Sequence, residues 1–352
     1  MSGTYDLIRD LPLVIDDVAL GRLDLEVSPE FTRITTVVHL MGAGHEGVGE
    51  DVTYEQDEQE AFQAVDPPDL RGQWTIHSLA QQLAGMDLFP TAPAWLPSRA
   101  YRRWAFESAA LDLALRQAGR PLWQALGTPE PAPVEFVIST GLGHPPDPGR
   151  VLGWAEAMPG IGFKLDATPD WTREMARALA DGAEVMVVDL KGHYSGSSVD
   201  PGADPSLYAM VAEEFPDAWL EDPRVDDRTR IALAGAEDRV TWDAPIHAAG
   251  DIAAQAIAPR TVNVKPSRIG SLEGLFAVYD LIRDEGLGAY GGGQYELGPG
   301  RGQIQYLASL FHPDAPNDTS PVGYHLPPRS GLASSPLPPS PSATGFRWGP
   351  GS

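Results

Sequence analysis

From Pro133 onward, short apolar runs alternate with helical segments, and this pattern restricts the second half of the chain to a parallel α/β architecture. The runs are Val134–Ser139, Gly162–Leu165, Val185–Leu190, Ala218–Glu221, Val240–Trp242, Thr261–Val264 and Gly288–Tyr290. Between them lie helical candidates such as Trp171–Ala180, Pro205–Glu214, Thr229–Ala236 and Leu272–Asp284. Successive runs start roughly 20 to 30 residues apart, the length of one strand-helix unit in a parallel barrel. An eighth strand after Gln303–Leu310 is not obvious. The stretch from Pro313 to Ser352 is rich in Pro, Ser and Gly, and is expected to wrap the barrel as extended chain or to be partly disordered.

The first part of the chain has a different texture. Arg33 to Leu40 reads as a strand, and Ala105 to Ala118 as a helix whose Phe106, Ala110, Leu113 and Ala114 form one buried face. Pro121 and Gly127 punctuate its end. The expected organisation is residues 1–130, 131–312 and 313–352, the last packing on one or both of the others.

Charge is distributed in a way that singles out a few residues. The chain has 25 basic residues, of which only Lys164, Lys191 and Lys265 are lysines, and each lies at or just past the end of an apolar run. Arginine stays protonated in proteins, whereas a lysine in a partly dry site can lose its proton and act as a base. With 49 acidic residues the net charge is −24, which argues against nucleic acid or an anionic membrane as partner. No apolar run is long enough to span a bilayer. MSGTYDLIRD lacks the basic and apolar regions of a secretory signal, so the expected location is cytoplasmic. Having no cysteine, the chain has no thiolate nucleophile, disulfide or cysteine zinc site.

Acids stand at the ends of three successive runs: Asp189 in VVDL, Glu221 in AWLE and Asp243 in VTWD. In a parallel barrel those ends share one rim, so the carboxylates converge there. Like charges in a dry space call for a cation, and oxygen ligands without His or Cys suit Mg²⁺, with Mn²⁺ as an alternative. Helix capping is the competing explanation for any single one of them.

The order FKLD, VVDLK, WLEDP, TWDAP and VNVKPSRIGSL resembles the barrel of the enolase superfamily, in particular its muconate-lactonising, mandelate racemase and o-succinylbenzoate synthase branches. GHEGVGED resembles that family's Gly-x-Gly-Glu strand end, and FESAALDLALRQAGRPLWQALG the helix leading into its barrel. The resemblance extends to about Leu310. It implies a modified (β/α)7β TIM-type barrel with an N-terminal α+β capping domain, metal ligands Asp189, Glu221 and Asp243, and Lys265 as acid/base. It further implies Mg²⁺-dependent removal of the proton α to a carboxylate through an enediolate, a small carboxylic acid as substrate, and a symmetric homo-oligomer. Lys164 resembles the first lysine of the family's second strand, which helps to hold the substrate carboxylate.

The chain departs from the pattern twice. The usual Lys-x-Lys of the second strand is Lys164-Leu165-Asp166, and the Asp-x-Asn of the third is Asp189-Leu190-Lys191. Residues i and i+2 of a strand point the same way, so Lys191 follows Asp189 inward if the strand runs that far. Lys191 then either supplies the amine that position 166 lacks, paired with Asp166, or forms a purely structural ion pair with it. The first case favours an isomerase (racemase, epimerase or cycloisomerase). The second favours a one-base lyase: a dehydratase, an o-succinylbenzoate synthase-like step or an ammonia-lyase. A barrel that binds metal and ligand without catalysis is a further alternative. Substrate contacts are expected from Gln294 and Glu296 in YGGGQYELGPGRG, whose glycines let backbone approach a ligand, and from His193 and Tyr194 in the loop beyond Lys191. The loop from Ser28 to Arg33 corresponds to the family's specificity loop, and Arg33 is expected to meet a distal anionic group.

Overall fold

In a computed structural model that describes residues 3–28, 31–193 and 202–349, the N-terminal strands Asp17–Ser28, Phe31–Gly42 and His45–Asp51 form an antiparallel sheet. Ala43 and Gly44, both at positive φ, make the two-residue turn between the last two strands. The sheet lies on the helix Ser98–Gln117, and the glycines of GHEGVGED explain how closely. A Cβ on Gly47 would sit 2.2 Å from the Ala109 carbonyl oxygen, and one on Gly49 2.0 Å from that of Ala105. Only glycine lets the strand rest directly on the helix backbone.

The barrel follows as parallel strands Val137–Gly141, Gly162–Asp166, Glu184–Asp189, Trp219–Glu221, Val240–Thr241, Thr261–Val264 and Gly288–Gly291. The first five form one sheet and the last two another. The Asn263 amide donates to the Trp242 carbonyl at 3.0 Å and Thr241 Oγ1 to the Thr261 carbonyl at 2.8 Å, joining them. Among the intervening helices, Pro205–Glu214 has its expected limits. The expected Thr229–Ala236 helix is instead Asp227–Ala232, because Asp226 caps it through the Arg228 and Thr229 amides and the chain then turns through Gly235 at φ 84°.

The eighth strand, not obvious in the sequence, is reduced to Asn317 and Asp318. Asn317 bridges Phe136 and Asp318 bridges Gly292, both in parallel, so these two residues close the ring between its first and seventh strands. The closure therefore lies beyond residue 312, inside the Pro-, Ser- and Gly-rich segment expected to pack on the rest. The described remainder of that segment is packed: Leu337 bridges Val134, Gly345 bridges Pro121, and Tyr324, Leu337 and Phe346 are buried.

A buried side-chain network holds the closing strand. The Asn317 amide nitrogen donates to the carbonyls of Glu135, His312 and Ala315, which fixes its orientation. Its oxygen accepts the Gly291 amide at 2.7 Å and lies 2.7 Å from His312 Nδ1. Nδ1 must therefore carry the histidine proton, leaving Nε2 to accept from Tyr279 Oη at 3.0 Å. Burial pushes His312 from 6.5 down to about 4, opposed by its bond to Asn317. A depressed histidine pKa contributes stability that is fully present above the unfolded value and is lost as pH falls through the interval down to the folded one. The loss attributable to His312 between about pH 6.5 and 4 is expected to be on the order of 3 kcal/mol. Urea unfolding of wild type and His312→Gln across that range checks it: the stability difference between them should shrink with acidification, and a constant difference would refute the assignment.

Candidate active site

The side chains at the C-terminal rim of the barrel open into a cavity of ≈ 290 Å³, roofed by Leu25 and Tyr54 of the N-terminal domain. Lys164, Lys191 and Lys265 all line it. Each lysine meets carboxylates. Lys164, 2% exposed, is ion-paired to Glu221, with Asp318 at 3.6 Å and Asp189 at 3.9 Å. Burial opposes its charge, but Glu221, Asp318 and Asp189 together raise its pKa well above the ordinary lysine value. Lys265 Nζ lies 2.8 Å from Asp243 Oδ2, and Arg268 Nε is 3.4 Å from Asp243 Oδ1. Burial alone would raise the Asp243 pKa; Arg268 and Lys265 instead hold it well below the usual carboxylate range.

Lys191 reaches the site by a route other than strand alternation. The third strand stops at Asp189, whose Oδ1 accepts the Lys191 amide at 2.9 Å, and Lys191 itself takes a left-handed φ of 51°. Such a conformation is unfavourable for a side chain with a Cβ and persists where its surroundings enforce it. It folds the lysine back so that Nζ lies 2.8 Å from Asp189 Oδ2 and 3.1 Å from Asp166 Oδ1. The amine thus stands beside position 166, between the second and third strands.

Among the described residues, Asp189, Glu221 and Asp222 form the group whose carboxylate oxygens approach within 4.8 Å of one another. In the sequence Asp222 stands only as a member of WLEDP, with nothing that marks it as a site residue. Its φ of 52° turns it back into the barrel, where its two oxygens accept the Asp243 and Ala244 amides at 2.8 and 2.9 Å. Asp243 stands outside that tight group but within its field. Burial, with Asp243, Asp189 and Glu221 adding to it, carries the Asp222 pKa far above normal. Burial also pushes Glu221 to about 7, against the pull of Lys164. Tyr290 Oη and Asn263 Nδ2 donate to Glu221 Oε2 and fix its orientation. Crowded buried oxygens of this kind suit a hard divalent cation, whose charge relieves the repulsion recorded in these raised values.

The other candidates separate. Gln294 and Glu296 line the cavity, and both are buried. The glycines before them make room for the protein's own side chains, and Gly293 also lines the cavity. A Cβ on Gly292 would sit 2.7 Å from Lys265 Cε, and one on Gly293 2.0 Å from Glu296 Oε2. Arg33 meets no anionic group among the described residues. It is fully buried, and its guanidinium donates to the carbonyls of Val52, Thr53, Gln294 and Tyr295, so it ties the N-terminal domain to the loop after the seventh strand. Glu50 grips the same loop from the other side, accepting the amides of Leu297, Gly298 and Gly300. His193 sets its ring against Trp242 at 5.5 Å and is not part of the cavity wall. Tyr194, and residues 29–30 of the expected specificity loop, lie outside the described residues. Asp318 and Arg301, which also line the cavity, carry no local sequence signal that would have marked them.

No helix among the described residues is long and apolar enough to cross a membrane. Two family profiles match the chain: a domain of unknown function (DUF8230) N-terminal domain over residues 6–125 and its C-terminal domain over residues 130–326. An N-succinylamino acid racemase of Thermus thermophilus is 26% identical over 329 residues, covering 89% of this chain and 84% of the relative. An o-succinylbenzoate synthase of Geobacillus stearothermophilus is 26% identical over 61% of this chain and 58% of the relative. Among solved structures, muconate lactonizing enzyme from Pseudomonas putida superposes with a TM-score of 0.67 at 18% identity, covering 95% of this chain and 96% of that one. A dipeptide epimerase from Methylococcus capsulatus, complexed with Mg ion, gives 0.62 at 20% identity over 87% and 88%. The chain belongs to the DUF8230 family, and in its relatives and its capped barrel it is similar to enzymes of the enolase superfamily.

Proposed function

We propose that the protein is a Mg²⁺-dependent isomerase that removes and returns the proton α to the carboxylate of a small substrate, with N-acyl amino acids as the class to test first. The observation that carries this reading is the placement of two amines, Lys265 and Lys191, on the wall of one cavity with the acidic cluster between them. Asp189, Glu221 and Asp243 would hold the cation, while Asp222, its oxygens committed to two backbone amides, braces the loop that carries Asp243. When bound, the cation stabilises the negative charge that develops on the substrate carboxylate. Lys265 Nζ takes the α-proton, and Lys164 orients the carboxylate through its own charge. Lys191 Nζ, beside Asp166, stands on the other side of the barrel axis and returns a proton to the opposite face, which inverts the centre.

The relatives named racemase and epimerase support isomerisation. The ion pair of Lys191 with Asp166 and Asp189 supports a second reading, in which Lys191 stays protonated and Lys265 works alone as the base of a lyase. Incubation with Mg²⁺ in D₂O distinguishes them. Under the isomerase reading both enantiomers of an N-acyl amino acid exchange the α-proton, with inversion, and Lys191→Ala and Lys191→Arg each lose exchange roughly a hundredfold or more for one enantiomer while Mg²⁺ affinity is kept. Near-normal turnover of both enantiomers by either variant would remove Lys191 from the chemistry. Loss of a β-substituent would favour the lyase.

A further inference from the structure

The cavity wall contains a buried polar side chain with an unpartnered nitrogen that the chemistry above leaves unused. Gln294 is only 6% exposed and lines the cavity, and its Nε2 has no hydrogen-bond partner among the described residues. Buried amides are rarely left unpaired, because each loses its bonds to water without replacement. We infer that Gln294 is a specificity-determining residue: its side-chain amide takes the carbonyl oxygen of a neutral acyl group on the substrate, next to the reacting carbon.

The loop is built to hold that amide still. The Gln294 carbonyl accepts from Arg33 at 3.0 Å, its own N–H donates to Glu296 Oε1 at 2.9 Å, and the next carbonyl accepts from Arg33 at 3.3 Å. Tyr295 is held at φ 62°, a left-handed conformation at a residue with a side chain, and Glu50 fixes the amides that follow. A side chain presented from a backbone restrained on both sides loses little freedom when a ligand binds. The ligand chemistry follows from the surroundings. The Glu296 carboxylate, 4% exposed, faces the same cavity and disfavours a second anion, and Arg33 spends its donors on four carbonyls. A neutral group with an acceptor oxygen fits, and an amide fits best, since glutamine can offer both a donor and an acceptor.

The inference rests on the proposed α-proton chemistry for the position of the substrate, so its test reads binding separately from turnover. Calorimetry with Mg²⁺ present compares N-acetylphenylalanine with 2-benzylpentanoic acid, which keeps the shape and lacks the amide. Wild type should bind the amide roughly ten- to a hundredfold tighter, and Gln294→Met should lose most of that preference with little change toward 2-benzylpentanoic acid. Its melting temperature should match wild type, because the side chain holds no structural bond. An unchanged preference, an equal loss for both ligands, or binding of neither would overturn the assignment. A Gln294-dependent preference without α-proton exchange in D₂O would instead sustain it and overturn the catalytic reading.

Discussion

Lys265→Ala is expected to lower α-proton exchange roughly a thousandfold while leaving Mg²⁺ affinity within a few-fold of wild type. The argument has three links. Lys265 follows the sixth barrel strand directly, so its side chain enters the cavity from a rigid element. Its amine lies 2.8 Å from Asp243, one of the proposed cation ligands, which places it beside the carboxylate of any substrate bound there. Its aliphatic stem fits only because residue 292 has no side chain. Gly292→Ala therefore reaches the same amine by sterics: a Cβ 2.7 Å from both Lys265 Cε and Asn263 Oδ1 forces one of them to move. Displacing a catalytic group by about an ångström costs roughly a hundredfold, and that loss should appear in kcat with the lysine still present. A Lys265→Ala enzyme with near-normal exchange would show that this amine is not the base, whereas a Gly292→Ala enzyme with wild-type kcat would show that Asn263 or the flexible end of the lysine takes up the clash.

The second large effect concerns the cation. Asp243→Asn is expected to weaken Mg²⁺ binding about a hundredfold or more, because it removes one charged ligand of three and leaves Lys265 and Arg268 beside a neutral amide. Asp222→Asn should cost far less in affinity although it belongs to the tighter cluster of oxygens. Its carboxylate is satisfied by the Asp243 and Ala244 amides, and burial among three other acids favours its neutral form. An asparagine there keeps one acceptor oxygen for those amides. Calorimetric titration of the two variants orders them, and a larger loss in Asp222→Asn would exchange their roles.

Much of the barrel was legible because its signals are local. An apolar run of four to six residues followed by Lys or an acid marks both a strand and its rim, which is why Lys164, Asp189, Glu221 and Lys265 could be placed from FKLD, VVDLK, WLEDP and VNVK alone. What was not legible depends on the third dimension. Lys191 and Asp222 enter the site through left-handed backbone that alternation along a strand does not describe. The closing strand is two residues long inside a Pro- and Ser-rich stretch, and its support comes from His312, Tyr279 and the distant Glu135 carbonyl. Arg33 illustrates the opposite error: a cation on a loop-proximal strand invites an anionic partner, yet four carbonyls from two domains consume it. Hydrogen bonds to carbonyls leave no trace in residue identity, so sequence cannot distinguish a structural arginine from a binding one.

The central claim is that a divalent cation is shared by Asp189, Glu221 and Asp243 within reach of Lys265. Anomalous diffraction from crystals grown with Mn²⁺ tests it most directly. The account predicts one strong peak coordinated by those three carboxylates, with the Lys265 amine on its cavity side. A peak held by Asp222 in place of Asp243, or no peak among these residues at saturating Mn²⁺, would contradict it.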